Sequence, residues 1–307
     1  MKKSLSSYFN KTFTPSFIVF LRISVGFVLL VHFISIWKDF ELLYSNQSII
    51  PVEIHGAVYE YNIIPYSQIE NFLSAYFQNP NLTFKYIYIT LCIFIITGFF
   101  SRISAIILLV LQVSLVKSAT LFMYGVDFFA SMSLFYIILF PTNRYFSLQK
   151  RFFPKTITNF PIQSLNICKR ILQLHLCVAY FFSGLDKVIG FNWWSGEAMW
   201  KSLNLPNFTR FINLPSIFDE KYSLLYLIGG WVIICIEIFY PIFININKTR
   251  KLWLTLTILM HIGIIVSFNL FFFSSIMIIW NLTSYYFNYY EKDKIFTESS
   301  SAANVYN

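Results

Sequence analysis

Eight long apolar runs dominate this sequence and leave little charge to cover a surface that faces water. Hydrophobic residues make up 57% of the 307 residues and charged residues only 12%, whereas a soluble domain carries about a quarter charged residues. Apolar runs of roughly 17–25 residues cross a bilayer as helices. The runs are Phe17–Trp37, Phe84–Phe100, Ile103–Val116, Leu121–Phe140, Ile171–Leu185, Leu224–Ile246, Leu252–Ser267 and Leu270–Tyr286. The sequence therefore predicts an all-α, polytopic membrane helical bundle of about eight transmembrane helices in the cell membrane, with lipid as its first partner.

The lysines and arginines are distributed unevenly between the connections. If the N-terminus is inside and eight spans follow, the inside segments hold 15 of the 23 Lys and Arg residues and the outside segments hold 7. Cytoplasmic loops of membrane proteins carry such an excess. We therefore predict that both termini are cytoplasmic and that Lys187 lies at the outer face. The same asymmetry accounts for the net charge of +9, so this charge requires no nucleic-acid partner.

The chain shows no separate soluble domain. We predict a cytoplasmic N-terminal segment over 1–14, a transmembrane domain over 15–290 and a disordered cytoplasmic tail over 291–307. The first apolar run follows a basic segment but ends without a small-residue cleavage site, so we expect it to stay in the protein. The four cysteines have no metal-ligand spacing, and we expect them to be reduced packing residues, with no metal site.

Lys187 closes the segment Ser183-Gly184-Leu185-Asp186-Lys187 at the outer end of the fifth run. A lysine at the end of an apolar helix is costly unless it is solvated, paired or used. A partly desolvated amine gives up its proton more readily and can act as a base. The structural alternative is that the side chain extends to the membrane interface, as many lysines at helix ends do.

Other ionisable residues also fall inside the runs, where such groups indicate function by default. The alternative for each is a polar contact that joins two helices. We favour that alternative for two of them and leave both interpretations open for two others. Those assigned to helix contacts are Arg22 and His175, and those left open are Glu237 and His261. The set also contains His32 and Asp127, for which we state no preference.

Two spacings predict where the polar residues of the later runs lie. Tyr180 and Lys187 are seven residues apart and therefore share one face of a helix. Glu237 precedes Pro241 by four residues, and a proline disrupts the helix at the carbonyl four residues before it. We expect Lys187 to face the interior of the bundle or an outward-facing cavity, with Glu237 or His261 within side-chain reach or one water away.

Several motifs together resemble a known membrane family. They are Phe99-Phe100-Ser101-Arg102, Tyr124-Gly125-Val126-Asp127, Tyr180-Phe181-Phe182-Ser183-Gly184-Leu185-Asp186-Lys187, Trp193-Trp194-Ser195-Gly196 and His261-Ile262-Gly263-Ile264. In this order, over about residues 15–288, they resemble the HTTM (horizontally transferred transmembrane) domain, the membrane part of vitamin K-dependent gamma-carboxylase. The most specific part is the segment that ends at Lys187, together with the tryptophans that follow it.

The resemblance implies roles for particular residues. Lys187 occupies the position of the base that starts oxidation of the reduced quinone vitamin K, and His261 resembles a membrane histidine of the carboxylase. The implied catalytic residues are thus Lys187 and His261, and the implied binding or supporting residues are Tyr180, Asp127, Glu237, Trp193 and Trp194. Two departures count against glutamate carboxylation itself. A carboxylase histidine that would fall around Thr120 is absent, and so is the large soluble portion that binds the protein substrate.

Two other functions stay open. Lys117-Ser118-Ala119-Thr120 before Tyr124-Gly125 is similar to the sporulation-delaying protein B family, which implies a non-enzymatic factor for the maturation or export of a secreted antimicrobial peptide. A gene for a small secreted peptide beside the gene for this chain would favour that function. A small transporter is the third class, and it would show inverted-repeat symmetry, which this sequence lacks.

The charge asymmetry predicts the sidedness of the connection between the first two runs. In a variant without the native cysteines, a cysteine introduced at Gln47 should react with a membrane-impermeant maleimide added to the outside of intact cells. Labelling that occurs only in inverted vesicles would contradict the predicted topology.

Overall fold

The computed structural model describes residues 15–51, 54, 64–157, 162–204 and 223–287, which are helical or in connections, with no strand among them. They belong to two compact units, a first unit over Pro15–Phe160 and a second unit that includes Pro161–Asn307. The first unit contains α1 Ser16–Ser35, α2 Phe40–Tyr44, α3 Tyr66–Ser74, α4 Pro80–Thr97, α5 Ser101–Ser118, α6 Gly125–Leu139 and α7 Leu148–Phe152. The second contains α8 Ile162–Ile189, α9 Phe191–Trp194, α10 Glu197–Leu203, α11 Ser223–Ile238, α12 Tyr240–Phe243, α13 Arg250–Phe268 and α14 Phe271–Asn281, with a π-helical turn over Leu282–Tyr286.

Four of the described helices, α1, α4, α5 and α13, are long and apolar enough to cross a membrane. The shorter α6 and α11 are also apolar. Each of the eight predicted runs coincides in sequence with at least one described helix. The all-α class and the presence of apolar helices of membrane length are thus confirmed. The count of eight spans, the cytoplasmic termini and a single transmembrane domain over 15–290 stay predictions. The predicted segments 1–14 and 291–307 lie outside the described residues.

In the first unit, α1 packs against α4 and α6 through an apolar stripe that recurs every four residues. The fully or almost fully buried members of this stripe are Phe17, Leu21, Val25, Leu29 and Phe33. Such a spacing keeps side chains on one face of a helix. Gly26 lies beside the stripe, where a Cβ would come within 2.8 Å of Ile96 Cγ1. The absence of a side chain therefore lets α1 and α4 approach closely.

The connection between α1 and α4 packs onto the ends of these helices through aromatic rings. The rings of Phe33 and Tyr88 stack at 4.0 Å, and Phe40 meets Tyr66 edge to face at 5.2 Å. The backbone N–H of Tyr66 donates to Ser118 Oγ at 2.7 Å. The described part of this connection is therefore ordered by buried rings and by a hydrogen bond to α5.

Arg22 is fully buried in α1 and donates to backbone carbonyls that follow α6. Nη1 donates to the carbonyl oxygens of Thr142 at 2.6 Å and Tyr145 at 3.2 Å, and Nη2 donates to that of Phe146 at 2.6 Å. Carbonyls at the end of a helix lack partners within it, so the guanidinium satisfies groups that would otherwise be left without a hydrogen bond. The prediction that Arg22 joins elements by polar contacts is confirmed.

Gly98 should be the most sensitive glycine of the first unit to substitution. Its φ is +72°, and an added Cβ would lie 2.4 Å from Arg22 Nη1. Gly98→Ala should therefore destabilise the protein by about 1–3 kcal/mol, measured as a lower unfolding temperature in detergent. Gly263→Ala is the matched control, because nothing lies within 4 Å of its added Cβ. Equal unfolding temperatures for the two variants would contradict this account.

In the second unit, α8 packs against α11, α12 and the π-helical turn, while α13 packs on α14. At 28 residues, α8 is much longer than its apolar run and includes the polar flank that contains Lys169 and Arg170. The helix therefore continues beyond the apolar run through this polar flank.

A break separates α11 from α12. The first of these helices ends at Ile238, and the second begins at Tyr240, one residue before Pro241. The proline cannot donate a backbone hydrogen bond and disfavours helical geometry in the residue before it. The predicted disruption therefore falls beside Glu237.

Candidate functional site

The side chain of Lys187 is paired with Glu237. Its Nζ lies 2.7 Å from Glu237 Oε2, 2.8 Å from Ser183 Oγ and 3.3 Å from the Ser183 carbonyl oxygen. A lysine ammonium has three N–H donors, so these three acceptors can use all of them. The exposed fractions of the two side chains are only 18% for Lys187 and 8% for Glu237. The predicted contact between Lys187 and Glu237 is thus confirmed, whereas a catalytic role stays a prediction.

Gly184 lets the two helices come close enough for this pair to form. A Cβ on Gly184 would lie 2.8 Å from the backbone nitrogen of Ile238 and 3.0 Å from Glu237 Cβ. Small residues at helix contacts allow such close approach in membrane proteins. The glycine of the Ser-Gly-Leu-Asp-Lys segment therefore positions Glu237, while the lysine supplies the charge.

Of the two tryptophans that follow α8, Trp193 lies over the Lys187 ammonium and Trp194 packs on α11. The Lys187 ammonium lies 5.3 Å from the centre of the Trp193 ring, within the range of a cation–π interaction. Trp194 Nε1 donates to the Val188 carbonyl oxygen at 2.5 Å, and its ring meets Trp231 of α11 edge to face at 4.4 Å. The tryptophan segment thus packs on α11, the helix that carries Glu237.

Two glycines make this packing possible. Gly196 has a φ of +78°, and a Cβ there would lie 2.6 Å from the backbone nitrogen of Leu227. On α11, a Cβ on Gly230 would lie 3.0 Å from the carbonyl oxygen of Trp193. The Trp193-Trp194-Ser195-Gly196 motif therefore makes a close backbone contact with α11, and this contact holds the Trp193 ring over the Lys187 ammonium.

Tyr180 lies seven residues before Lys187, about 10 Å along the helix axis, in a second polar cluster. Its hydroxyl lies 2.7 Å from His261 Nε2 and accepts from Asn281 Nδ2 at 2.8 Å. The Tyr240 hydroxyl donates to Asn281 Oδ1 at 2.7 Å. All four side chains are buried. This cluster joins α8, α12, α13 and α14, and it brings together the predicted residues Tyr180 and His261.

Sequence reasoning missed Asn281 and Tyr240. Neither side chain carries a charge at neutral pH, so neither stands out among the charged residues and histidines inside the apolar runs. An asparagine within the run Leu270–Tyr286 was nevertheless a signal, because a buried amide requires partners for its donors and its acceptor.

Asp127 belongs to the first unit and lies in the first turn of α6. Oδ2 accepts from the backbone N–H of Tyr124 at 3.1 Å, and Oδ1 accepts from Gln112 Nε2 at 3.4 Å. Gln112 in turn accepts from the Tyr88 hydroxyl at 2.7 Å. A carboxylate three residues after the helix cap completes a capping box and also favours the positive end of the helix dipole. These contacts give Asp127 a structural role at the start of α6.

The imidazole ring of His175, the histidine of α8, meets the ring of Trp280 edge to face at 5.0 Å. All four cysteines are free, with Cys92 and Cys168 buried, Cys177 half-buried and Cys235 exposed. Among the described residues, no cluster of histidine, cysteine and carboxylate side chains could hold a metal ion.

The second unit also has two open clefts. An apolar groove of about 390 Å³ lies between α11 and α13 and is lined by residues that include Trp231, Cys235 and Trp253. A smaller cleft of about 280 Å³ is lined by residues of the 195–200 segment and by Ser223 and Tyr226. Lys187 lines neither of these two clefts.

Comparison of the chain with protein-family models, with curated proteins and with solved structures finds no match. The resemblance to the HTTM domain therefore rests on the motifs alone.

Substitution at Gly184 should separate α8 from α11. Gly184→Ala places a methyl group against the backbone of Ile238, so we expect a loss of stability of about 1–3 kcal/mol and a weaker contact between Lys187 and Glu237. Gly229→Ala on α11 is the control, because its Cβ would meet only the flexible Met199 Cε at 3.3 Å. Unfolding temperatures in detergent compare the two variants. An unchanged value for Gly184→Ala would mean that the helices do not depend on this close contact.

Proposed function

We propose that this chain is a polytopic membrane protein of the HTTM superfamily, with about eight transmembrane helices and both termini in the cytoplasm. Four helices of membrane length, a described helix over each apolar run and the asymmetry of basic residues support this proposal. The ordered motifs that end at Lys187, Trp194 and His261 support the choice of superfamily.

We propose further that the pair of Lys187 and Glu237 is an acid–base site at the outer side of the membrane. The observation that carries this proposal is the 2.7 Å contact between Nζ and Oε2 with both side chains largely excluded from solvent. Removal of one partner of such a buried pair costs about 3–5 kcal/mol, so a purely structural role would also make both residues important. The two roles therefore require a test that separates charge from proton transfer.

The chemistry begins with a proton shift inside the pair. Lys187 gives a proton to Glu237, which leaves a neutral amine beside a protonated carboxyl group. The amine then takes the proton of an acidic hydroxyl group on a membrane-soluble substrate, and its O–H bond breaks. The Lys187 ammonium that results lies beside the negative charge left on the substrate oxygen and stabilises it. A reduced quinone has a hydroxyl group of this kind, and we propose it as the substrate class.

Arginine at position 187 separates the two roles, because it keeps the charge but does not release its proton under working conditions. Lys187→Arg, Lys187→Ala and Glu237→Gln should each lose quinol oxidation by about 10²–10⁴-fold while the protein still inserts and stays monodisperse. The assay follows oxidation of a reduced naphthoquinone by dissolved dioxygen, which accepts the two electrons, in the presence of the purified protein in nanodiscs. The exposed pair of Lys201 and Glu197, also at 2.7 Å, provides the control variant Lys201→Ala, which should keep full activity.

Two results would contradict the proposal. Full activity of Lys187→Arg with loss of activity in Lys187→Ala would mean that the residue supplies only positive charge. Equal loss in Lys201→Ala would mean that the assay reports general damage to the outer segment.

A further inference from the structure

The segment that follows α6 exposes three phenylalanine rings among basic side chains. The exposed fractions are 81% for Phe146, 62% for Phe152 and 45% for Phe153. Two lysines and an arginine of the same short segment are exposed as well. We name these side chains the aromatic–basic patch of the first unit, which consists of Phe146, Lys150, Arg151, Phe152, Phe153 and Lys155.

Phe146 has a backbone conformation that a bulky residue rarely adopts. Its φ is +45°, in the left-handed region where a side chain crowds its own backbone. Arg22 Nη2 donates to its carbonyl oxygen at 2.6 Å, so the fold fixes this backbone while most of the ring stays outside the packed interior. Strained residues concentrate at functional positions. The exposed ring of Phe146 therefore indicates contact with a partner.

The patch lies where two helices of membrane length end. The centre of the Phe153 ring is 6.4 Å from that of Phe99 and 6.1 Å from that of Phe100, and these two residues join α4 to α5. Both helices are long and apolar enough to cross a membrane. In the proposed topology this end of α4 and α5 is at the level of the lipid headgroups on the cytoplasmic side.

The charge of the patch has no counterpart among its neighbours in sequence. The chain contains no Asp or Glu between Glu70 and Asp127, and none between Asp127 and Asp186. These ranges include α4, α5 and the whole patch. Lysine and arginine side chains close to a membrane surface are attracted by anionic lipids. The patch is therefore complementary in charge to a layer of phosphate groups.

We propose that the aromatic–basic patch binds the headgroups of anionic phospholipids and inserts its phenylalanine rings among them. The inference rests on the membrane location that is part of the proposed function. The basic side chains pair with lipid phosphates, and the rings leave water as they insert, a combination typical of segments that lie in the membrane interface. A nucleic acid or an acidic protein would match the charge, but a lipid also accounts for exposed rings at the ends of membrane-length helices.

Native mass spectrometry of the full-length protein in detergent tests the preference for an anionic headgroup. The protein is mixed with equal amounts of phosphatidylglycerol and phosphatidylcholine that carry identical acyl chains, so that a preference reports the headgroup. We expect preferential retention of phosphatidylglycerol, and the double variant Lys150→Gln/Lys155→Gln should weaken this retention about 30-fold. The control Lys38→Gln/Lys201→Gln removes two other exposed lysines and should change it little. Equal loss in the control would mean that only net charge matters and would overturn the proposal.

Phe146→Asn separates lipid binding from folding. Asparagine tolerates a positive φ better than phenylalanine does, so the unfolding temperature in lipid-free detergent should stay the same or rise. Retention of phosphatidylglycerol should nevertheless weaken about tenfold, because no ring inserts. Phe77→Asn is the control, since Phe77 is 49% exposed in a connection outside the patch, and it should keep full retention. Unchanged retention in Phe146→Asn, or a loss accompanied by a lower unfolding temperature, would contradict the proposed role.

Competition experiments distinguish the lipid from other occupants. Inorganic phosphate at the same concentration should not displace phosphatidylglycerol, because phosphate alone has no apolar part for the rings to contact. Displacement by phosphate would mean that the patch is a site for the free anion. Equal retention of the two lipids, together with binding of a short RNA or an acidic peptide, would assign the patch to another class of partner. Either result overturns the proposal.

Failure of this inference differs from failure of the proposed function. Lys187→Ala should lose quinol oxidation but keep the preference for phosphatidylglycerol, so the acid–base site can fail while the patch stands. Retention of both lipids without preference would contradict only the patch. Retention of neither lipid would contradict the membrane location and the patch together.

Discussion

The pairing of polar groups inside apolar helices is the constraint on which both units depend. Hydrocarbon offers no water to satisfy a donor, an acceptor or a charge, so each such group needs a partner from another helix or from the backbone. Lys187 meets this need with Glu237, and Arg22 meets it with three backbone carbonyls. These contacts also specify which helices are neighbours, because a shift along the helix would separate the partners.

Close approach of the backbones makes several of these contacts possible. Gly184 brings α8 against the end of α11, and Gly196 and Gly230 bring the tryptophan segment against the same helix. The glycines and the charged residues of the motifs therefore have different tasks. The glycines set the distance between backbones, and the side chains of Lys187 and Trp193 then meet within that geometry.

The elements that depend on local sequence could be predicted. The apolar runs gave the helices, the seven-residue spacing placed Tyr180 and Lys187 on one face, and Pro241 indicated the break beside Glu237. Contacts that depend on packing between distant segments could not be predicted, as for Asn281 with Tyr180 and Tyr240. Asp127 lies between these cases: an acidic residue in the first turn is typical of a helix start, but Tyr124 is not the Ser or Thr with which a capping box begins.

The contacts of Arg22 have a consequence for the order in which the protein is made. Its three carbonyl partners lie 120, 123 and 124 residues later in the chain. When the first helix leaves the ribosome, its guanidinium therefore has none of them, and a nascent chain shorter than about 142 residues cannot supply one. The hydrogen bonds of Arg22 can therefore form only after the segment that follows the sixth helix has been synthesised.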